Sequence, residues 1–248
     1  MSNIKYSSLY KTIFELMELP DNAVIADLGC RDASFLLGFE QAFPNKIKSA
    51  IGVDISDRGF KNIEYKNPIE LKVMNCAGKL EFDDNSFNFV FSKDMFECVS
   101  DKEFLVSEIY RILKPNGIVI CVNCDWDGIA YNGENKELIT KAIHAYAETK
   151  QPWMDDLDSW IGRRMYGFFS KSKLFESCVS VHNVIETEYK VGTFGYDLSL
   201  DIAWLHEENT GALTREEYDQ FIACLQSAQK EGSYIFSKPY YIYKGIKK

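Results

Sequence analysis

The first half of the chain alternates short apolar runs with longer segments whose apolar residues recur at helical spacing. The apolar runs predict five strands, at residues 23–28, 48–54, 69–75, 87–91 and 118–123. Helices are expected around them, at residues 7–18, from 34 toward 44, around 57–66 and at 102–113. This alternation is typical of βαβ units and a mostly parallel sheet.

The second half has a different pattern, rich in aromatic and charged residues. It predicts helices near residues 134–149, 155–170, 197–207 and 214–230, and a sixth strand over 179–188. The closing segment, 233–244, is expected to be a β-rich edge, where Pro239, which cannot donate a backbone hydrogen bond, fits an edge strand or a bulge but not a central strand. We interpret residues 1–248 as a single domain. Residues 126–176 would form an inserted helical cap over the carboxyl ends of the strands, where open α/β sheets bind ligands.

Composition and charge narrow the partners. Hydrophobic residues make up 46% and charged residues 26% of the chain, and no apolar run reaches the roughly 20 residues that span a bilayer. The start of the chain lacks the apolar stretch of a signal peptide. A net charge of −9 without a Lys/Arg block disfavours a nucleic-acid partner. We expect a cytoplasmic protein, monomer or homodimer, that acts on a small molecule and binds no membrane.

The seven cysteines are scattered and odd in number, so they predict no disulfide framework. Cys121 and Cys124 form a CxxC pair without a second pair at zinc-ribbon spacing. We therefore interpret them as small residues of a strand and predict no metal site.

The first chemical signal is a strand that ends in an acid and a glycine. Asp27 lies at the end of the first strand, and Gly29 and Cys30 begin the turn to the next helix. Glycine allows close backbone approach to a ligand, and the helix N-terminus supplies free N–H groups. The dinucleotide fingerprint would need glycine at the positions of Arg31 and Ser34, so this turn is poorly suited to bind a pyrophosphate.

Asp54 supplies the second signal. It lies at the end of the second strand, 25 residues after Gly29. A carboxylate at this place can accept hydrogen bonds from both hydroxyls of a ribose. The two strand ends together favour a ligand that contains a nucleoside.

Three further segments, 76–90, 96–101 and 108–117, carry a family resemblance. The second reads Phe-Glu-Cys-Val-Ser-Asp, and the third ends in Arg-Ile-Leu-Lys-Pro-Asn-Gly. With the glycine turn, they resemble small-molecule class I S-adenosylmethionine-dependent methyltransferases related to the ubiquinone and menaquinone C-methyltransferases. The resemblance is in register over residues 23–124.

This resemblance implies a Rossmann-like, seven-stranded, mostly parallel sheet with helices on both faces and an antiparallel last strand. It also implies that S-adenosylmethionine is the cofactor and S-adenosylhomocysteine the product. The methionine part would lie over Asp27 and Gly29, and Asp54 would bind the ribose.

The resemblance assigns further cofactor contacts along the same edge. Ile55 would pack on the adenine, the Ala77 N–H would donate to that ring, and Ser92 would face the sulfonium. From the N-terminal helix, Tyr6 or Tyr10 is expected to close the pocket.

Several residues depart from the family pattern. Cys76 stands where these enzymes have an acid that accepts from the adenine amino group, and a thiol is a poor acceptor. Arg31 and Ala33 replace glycines, and Cys98 replaces a histidine.

The acceptor would lie beyond strand five, where Asp125 and Asp127 flank Trp126. Two carboxylates and an indole ring can hold a cationic amine, although an acid here can also cap the next helix. His144 is the candidate general base, although it is also a lone histidine on an amphipathic helix. We name Asp125, Asp127 and His144 as the candidate catalytic residues.

Several functions fit these residues. We expect N- or O-methylation of a small amine or an aromatic or heterocyclic metabolite, because the cap is rich in aromatic side chains. Methylation of a protein or RNA, and cofactor binding without catalysis, are the alternatives. A nicotinamide-dependent oxidoreductase is disfavoured by Arg31 and Ser34.

Overall fold

The computed structural model describes residues 7–61, 68–207 and 212–248. The helices are α1 Ser7–Leu16, α2 Ser34–Ala42, α3 Lys102–Ile112, α4 Lys136–Ala147, α5 Ile161–Ser172, α6 Phe194–Glu207 and α7 Arg215–Glu231. The strands are β1 Ala23–Leu28, β2 Ile47–Asp54, β3 Ile69–Val73, β4 Phe87–Lys93, β5 Leu113–Cys124, β6 Ala130–Tyr131, β7 Phe175–Glu186 and β8 Phe236–Lys247. The helix expected around 57–66 begins as a short 3-10 turn, Asp57–Gly59, and its remainder falls largely outside the described residues.

The strands form one mixed sheet in the order β3-β2-β1-β4-β5-β8, with β7 and β6 both paired to β8. Strands β1 to β5 run parallel, and β8 runs antiparallel to β5. The α/β class, the mostly parallel sheet and the antiparallel last strand are therefore confirmed. The expected count of seven strands is one short, because the two-residue β6 pairs with the start of β8.

The placement of β8 differs from the sequence-based expectation. It lies between β5 and β7 and not at an edge. Pro239 is tolerated there because it lies one residue before Tyr240, which pairs with Cys124 at the very end of β5. The Pro239 carbonyl accepts a hydrogen bond from the Asp125 N–H at 3.1 Å. The position that lacks a backbone N–H therefore lies just beyond the last residue pair of β5 and β8.

The sheet separates two apolar layers. One contains α3 and α5, including Ile109 and Met165, and the other contains α1, α2, α4, α6 and α7. The second predicted cap helix, α5, packs against α3, β7 and β8, so it covers a face of the sheet. In contrast, α4 packs against α6, α7 and the 3-10 turn at 126–128, beyond the end of β5. The cover at that end therefore includes helices from outside residues 126–176.

Arg111 explains part of the family-like segment at 108–117. Its guanidinium donates to Glu108 and to the carbonyls of Leu80 and Phe82, at distances of 2.7 to 2.9 Å. The loop before β4 is thereby fixed to the end of α3. None of the helices in the described ranges is long and apolar enough to cross a membrane.

Candidate active site

The turn after β1 has a left-handed backbone at three positions. Gly29 has φ 76°, Arg31 has φ 48° and Ala33 has φ 50°. The Gly29 N–H donates to the Val53 carbonyl at 2.8 Å, and a Cβ on Gly29 would lie 3.0 Å from the Met95 side chain. The backbone shape associated with glycine is thus retained although two of these residues carry side chains.

Asp54 holds this turn from the end of β2. Its carboxylate accepts from the Arg31 N–H at 2.9 Å and from the Ser56 N–H at 3.2 Å. Gly59 allows the close approach, because a Cβ there would lie 2.1 Å from the Arg31 carbonyl oxygen. Ile55, the next residue, leaves 50% of its surface exposed beside the carboxylate.

Asp27 lies close to Asp54 but is deeply buried. Burial, together with the charge of Asp54, raises the pKa of Asp27 well above its ordinary value, and Lys93 offsets part of this rise. Burial and Asp54 raise the pKa of the Cys76 thiol to about 12. The pKa of Cys30 is also raised by burial and by the charge of Asp27. The structure therefore brings Asp27, Cys30, Asp54 and Cys76 together around Gly29.

Two predicted cofactor residues have partners or surroundings that were not expected. The Ala77 N–H donates to Asn75 Oδ1 at 2.8 Å, so it already has an acceptor. Ser92 pairs in register with Leu28 and Cys121, both of which belong to the core layer of α3. Because neighbouring strand positions in register share a face, the Ser92 hydroxyl points into that layer and not into the crevice.

Of the two candidate tyrosines, Tyr10 lies within the described residues. Tyr6 lies outside the described residues. The Tyr10 hydroxyl is 3.0 Å from Ser34 Oγ at the start of α2. Tyr10 therefore links α1 to the helix that follows the glycine turn.

Asp125 is engaged by the chain itself. Its buried carboxylate accepts from Arg163 Nε at 2.7 Å, from the Arg163 backbone N–H at 3.1 Å and also from Arg163 Nη2. These bonds fix the first turn of α5 to the end of β5. Both oxygens of this carboxylate therefore have a partner within the protein, without a bound substrate.

Asp127 and His144 lie together at a more exposed place. Asp127 Oδ1 is 3.5 Å from His144 Nδ1, and Asp127 Oδ2 accepts from Trp160 Nε1 at 3.0 Å. The His144 side chain is mostly exposed. Arg163 Nη2 lies 3.9 Å from Asp127 Oδ2, so the guanidinium that binds the buried Asp125 also joins it to this more exposed cluster.

Glu97, which the sequence reasoning did not select, is a buried acid that contacts the Trp126 indole. Its carboxyl accepts from Trp126 Nε1 at 3.3 Å and from the amide nitrogen of Asn123. Burial, with the charge of Asp94, raises the pKa of Glu97 to about 8. Within the described part of the chain, the side-chain amide oxygen of Asn123, Oδ1, is buried without a hydrogen-bond partner. The only sequence signal for Glu97 was its place in the Phe-Glu-Cys segment.

Lys238, at the start of β8, was also missed. Its ammonium lies over the Trp126 ring, 4.2 Å from the ring centre. No motif pointed to it, because it lies more than 100 residues after Trp126 in the chain.

Comparison with known proteins relates the first half of the chain to methyltransferases. Residues 26–121 match the family model described as a methyltransferase domain. Demethylmenaquinone methyltransferase from Staphylococcus carnosus is 23% identical over 173 residues, which are 66% of this chain and 69% of that protein. Matches to the curated relatives span from 9% to 71% of those proteins' own lengths.

Solved structures share the fold at low sequence identity. The YcgJ protein from Bacillus subtilis aligns with a TM-score of 0.61 and 16% identity, covering 98% of this chain and 99% of that one. Phosphoethanolamine N-methyltransferase 2 from Haemonchus contortus, solved with S-adenosyl-L-methionine, aligns with a TM-score of 0.56 and 18% identity. That alignment covers 97% of this chain and 52% of the other.

Proposed function

We propose that this chain, which belongs to the class I S-adenosylmethionine-dependent methyltransferases related to the quinone methyltransferases, methylates a nitrogen or oxygen atom of a small molecule. The observation that carries the proposal is the Asp54 carboxylate beside the left-handed turn, which it holds through the Arg31 N–H at 2.9 Å. Asp27, on the adjacent strand, adds a second acid at the same edge.

The residues at the ends of β1 and β2 fit the cofactor. Asp54 would bind the ribose hydroxyls, and the exposed face of Ile55 offers an apolar surface for the adenine. The turn at Gly29 and Cys30 presents backbone close to Asp27, where the methionine part would lie. The Ala77 N–H would have to share its bond to Asn75 with the adenine ring.

When bound, S-adenosylmethionine supplies a methyl group on a positively charged sulfur. Beyond that chemistry, the protein has to orient the acceptor, exclude water and, where the acceptor atom carries a proton, take that proton up. We assign the last role to Glu97. With a pKa of about 8, its carboxylate form, which can accept a proton, becomes populated as the pH rises toward 8.

Trp126 connects Glu97 to the acceptor side. Its indole N–H donates to Glu97 while its ring face points to β8. Asp127 and His144 remain candidates for the outer part of the acceptor site. Asp127 directly follows Trp126 in the chain, and His144 contacts Asp127.

The choice of a small molecule draws on charge and on the relatives. The net charge of −9 disfavours a nucleic-acid substrate. The relatives are named for quinone precursors and for phosphoethanolamine, which are both small molecules. Their different acceptors leave the acceptor of this chain to experiment.

A transfer assay tests the proposal. Purified full-length protein is incubated with methyl-labelled S-adenosylmethionine and separate panels of amines, phenols, quinols, RNA and protein. We expect label in a small amine or hydroxyl compound, and at least tenfold less transfer by Glu97→Gln at unchanged cofactor affinity. Label only in RNA or protein, or in none of the panels, would contradict the proposed function.

A further inference from the structure

We infer that Lys238 binds an anionic group, phosphate or carboxylate, on the molecule that this protein methylates. The inference rests on the proposed function and deepens it by giving the acceptor a charge. Its basis is a largely buried lysine whose ammonium lies among aromatic rings at the proposed acceptor end of the sheet.

Lys238 is surrounded by rings from three parts of the chain. Its Nζ lies 4.2 Å from the ring centre of Trp126, 5.1 Å from that of Tyr240 and 5.4 Å from that of Phe194. Only 7% of the residue is exposed. Aromatic faces attract a cation, so the rings hold the ammonium in place.

The ammonium nevertheless forms no direct ion pair within the described ranges, although its charge reaches the Asp94 carboxylate. No carboxylate there lies within 4.0 Å of Lys238 Nζ, and no described atom accepts a hydrogen bond from it. A buried charge is costly unless it is paired and hydrogen-bonded. Rings satisfy neither requirement completely, so the three N–H donors of this group are available to a ligand.

Lys238 also lies at the correct edge of the sheet. The neighbouring Pro239 carbonyl bonds to the Asp125 N–H, directly beyond the end of β5. Lys93, from the end of β4, lies on the same Tyr240 ring at 5.5 Å. The ammonium groups of Lys93 and Lys238 both lower the pKa of Asp94. Lys238, a residue of β8, therefore lies near the carboxyl ends of β4 and β5, next to the Glu97–Trp126 pair.

An anion fits this arrangement better than a cation. An open ring of three aromatic side chains would suit a ligand ammonium, but here the chain's own ammonium fills it and would repel a second one. Lys93 cannot serve as the main anion site, because Asp94 already pairs with it. A phosphate or carboxylate that reaches Lys238 Nζ would give this ammonium the direct ion-pair partner that it lacks among the described residues.

The test compares matched probes by titration calorimetry on the full-length protein saturated with S-adenosylhomocysteine. Phosphoethanolamine is compared with ethanolamine, and sarcosine with dimethylamine, so that each pair differs in the anionic group. We expect one anionic probe to bind at least tenfold more tightly than its partner. Phosphoethanolamine and sarcosine then distinguish phosphate from carboxylate as the source.

Variants assign the preference to Lys238. In Lys238→Met the preference is expected to fall below threefold, while Lys238→Arg retains it and Lys244→Met, on the same strand, leaves it unchanged. S-adenosylhomocysteine affinity is expected to stay within twofold in all three. A loss of that affinity in Lys238→Met but not in Lys238→Arg would assign the anion to the cofactor and overturn the inference.

A crystal soaked with the tighter probe keeps the inference testable even where Lys238→Met does not fold. We expect a phosphate or carboxylate oxygen within hydrogen-bond distance of Lys238 Nζ, and density elsewhere would overturn the inference. Equal binding of both members of each pair, or no binding of any probe, would also overturn it. If wild-type protein binds no S-adenosylhomocysteine, the proposed function itself fails.

Discussion

The proposed cofactor end and the proposed acceptor end of the site are built in different ways. At the cofactor end, Asp27, the turn after it and Asp54 lie within 28 residues of one another and at the ends of adjacent strands. At the acceptor end, Glu97, Trp126 and Lys238 come from three separated segments. The first end is specified by local backbone geometry, whereas the second exists only once the sheet has formed.

This difference has a consequence for substrate choice. The cofactor end depends on backbone shape and one hydrogen-bonded carboxylate, so its ligand is expected to vary little. The acceptor end depends on side chains supplied by β8 and the helices beyond β5. Substitutions there can change the acceptor without disturbing the turn at Gly29.

The largest expected effect on stability concerns the ion pair that supports the acceptor end. Asp125→Ala leaves the Arg163 guanidinium without its main partner and removes the anchor of α5. We expect the free energy of unfolding to fall by about 3 kcal/mol in urea denaturation. Arg164→Met, which breaks a more exposed pair with Asp158, should cost less than about 1 kcal/mol. Equal losses would mean that Asp125 does not anchor the acceptor end.

The next effect tests the proposed acceptor end by pH. The raised pKa of Glu97 means that the folded protein keeps a proton which the unfolded chain releases above about pH 4.5. Wild-type stability should therefore fall relative to Glu97→Gln as the pH rises from about 5 to about 8, and the fall should level off above that pH. Urea titrations from pH 5 to 9 measure the difference.

Glu108 supplies the opposite control, because Arg111 lowers its pKa. The stabilisation that Glu108 gives is present at neutral pH and is lost in acid as its carboxylate takes up a proton. The stability of wild type relative to Glu108→Gln should therefore fall as the pH falls. If both variants showed the same pH dependence, the contrast between the two carboxyl groups would be wrong.

A smaller effect tests whether the glycine turn is set by backbone shape. Arg31→Gly relieves a left-handed residue that carries a side chain, at φ 48°. Because its N–H still donates to Asp54, we expect the free energy of unfolding to rise by about 1 kcal/mol, with cofactor affinity unchanged. Lys173→Gly, at φ 60° after α5, is the control for the general effect of the substitution. A tenfold loss of cofactor affinity in Arg31→Gly alone would show that the Arg31 side chain takes part in binding.

The sequence predicted the cofactor end well because its signals are local. The apolar run at 23–28 coincides with β1, and the glycine turn and Asp54 lie at strand ends as expected. Ser92 was placed in the crevice, but strand alternation directs it into the core layer of α3. The position of β8 was missed because Pro239 argued for an edge, and its compatibility with an inner strand depends on where β5 ends.

The acceptor end could be predicted only in part for the same reason. Asp125 was expected to meet a substrate, yet Arg163, which is 38 residues away in sequence, occupies it. Lys238 gave no local signal, since its surroundings come from Trp126 and Phe194. Long-range contacts of this kind are not encoded by periodicity or by a short motif.

The most direct test of the central claim is the affinity for S-adenosylmethionine, measured by titration calorimetry on wild-type protein, Asp54→Ala and Asp57→Ala. Asp57 is an acid three residues further along that starts the 3-10 turn and does not bond to the Arg31 N–H. We predict that wild type and Asp57→Ala bind alike and that Asp54→Ala binds at least about 100-fold more weakly, a loss of roughly 2.7 kcal/mol. Undiminished binding by Asp54→Ala, or no binding by wild type, would contradict the account.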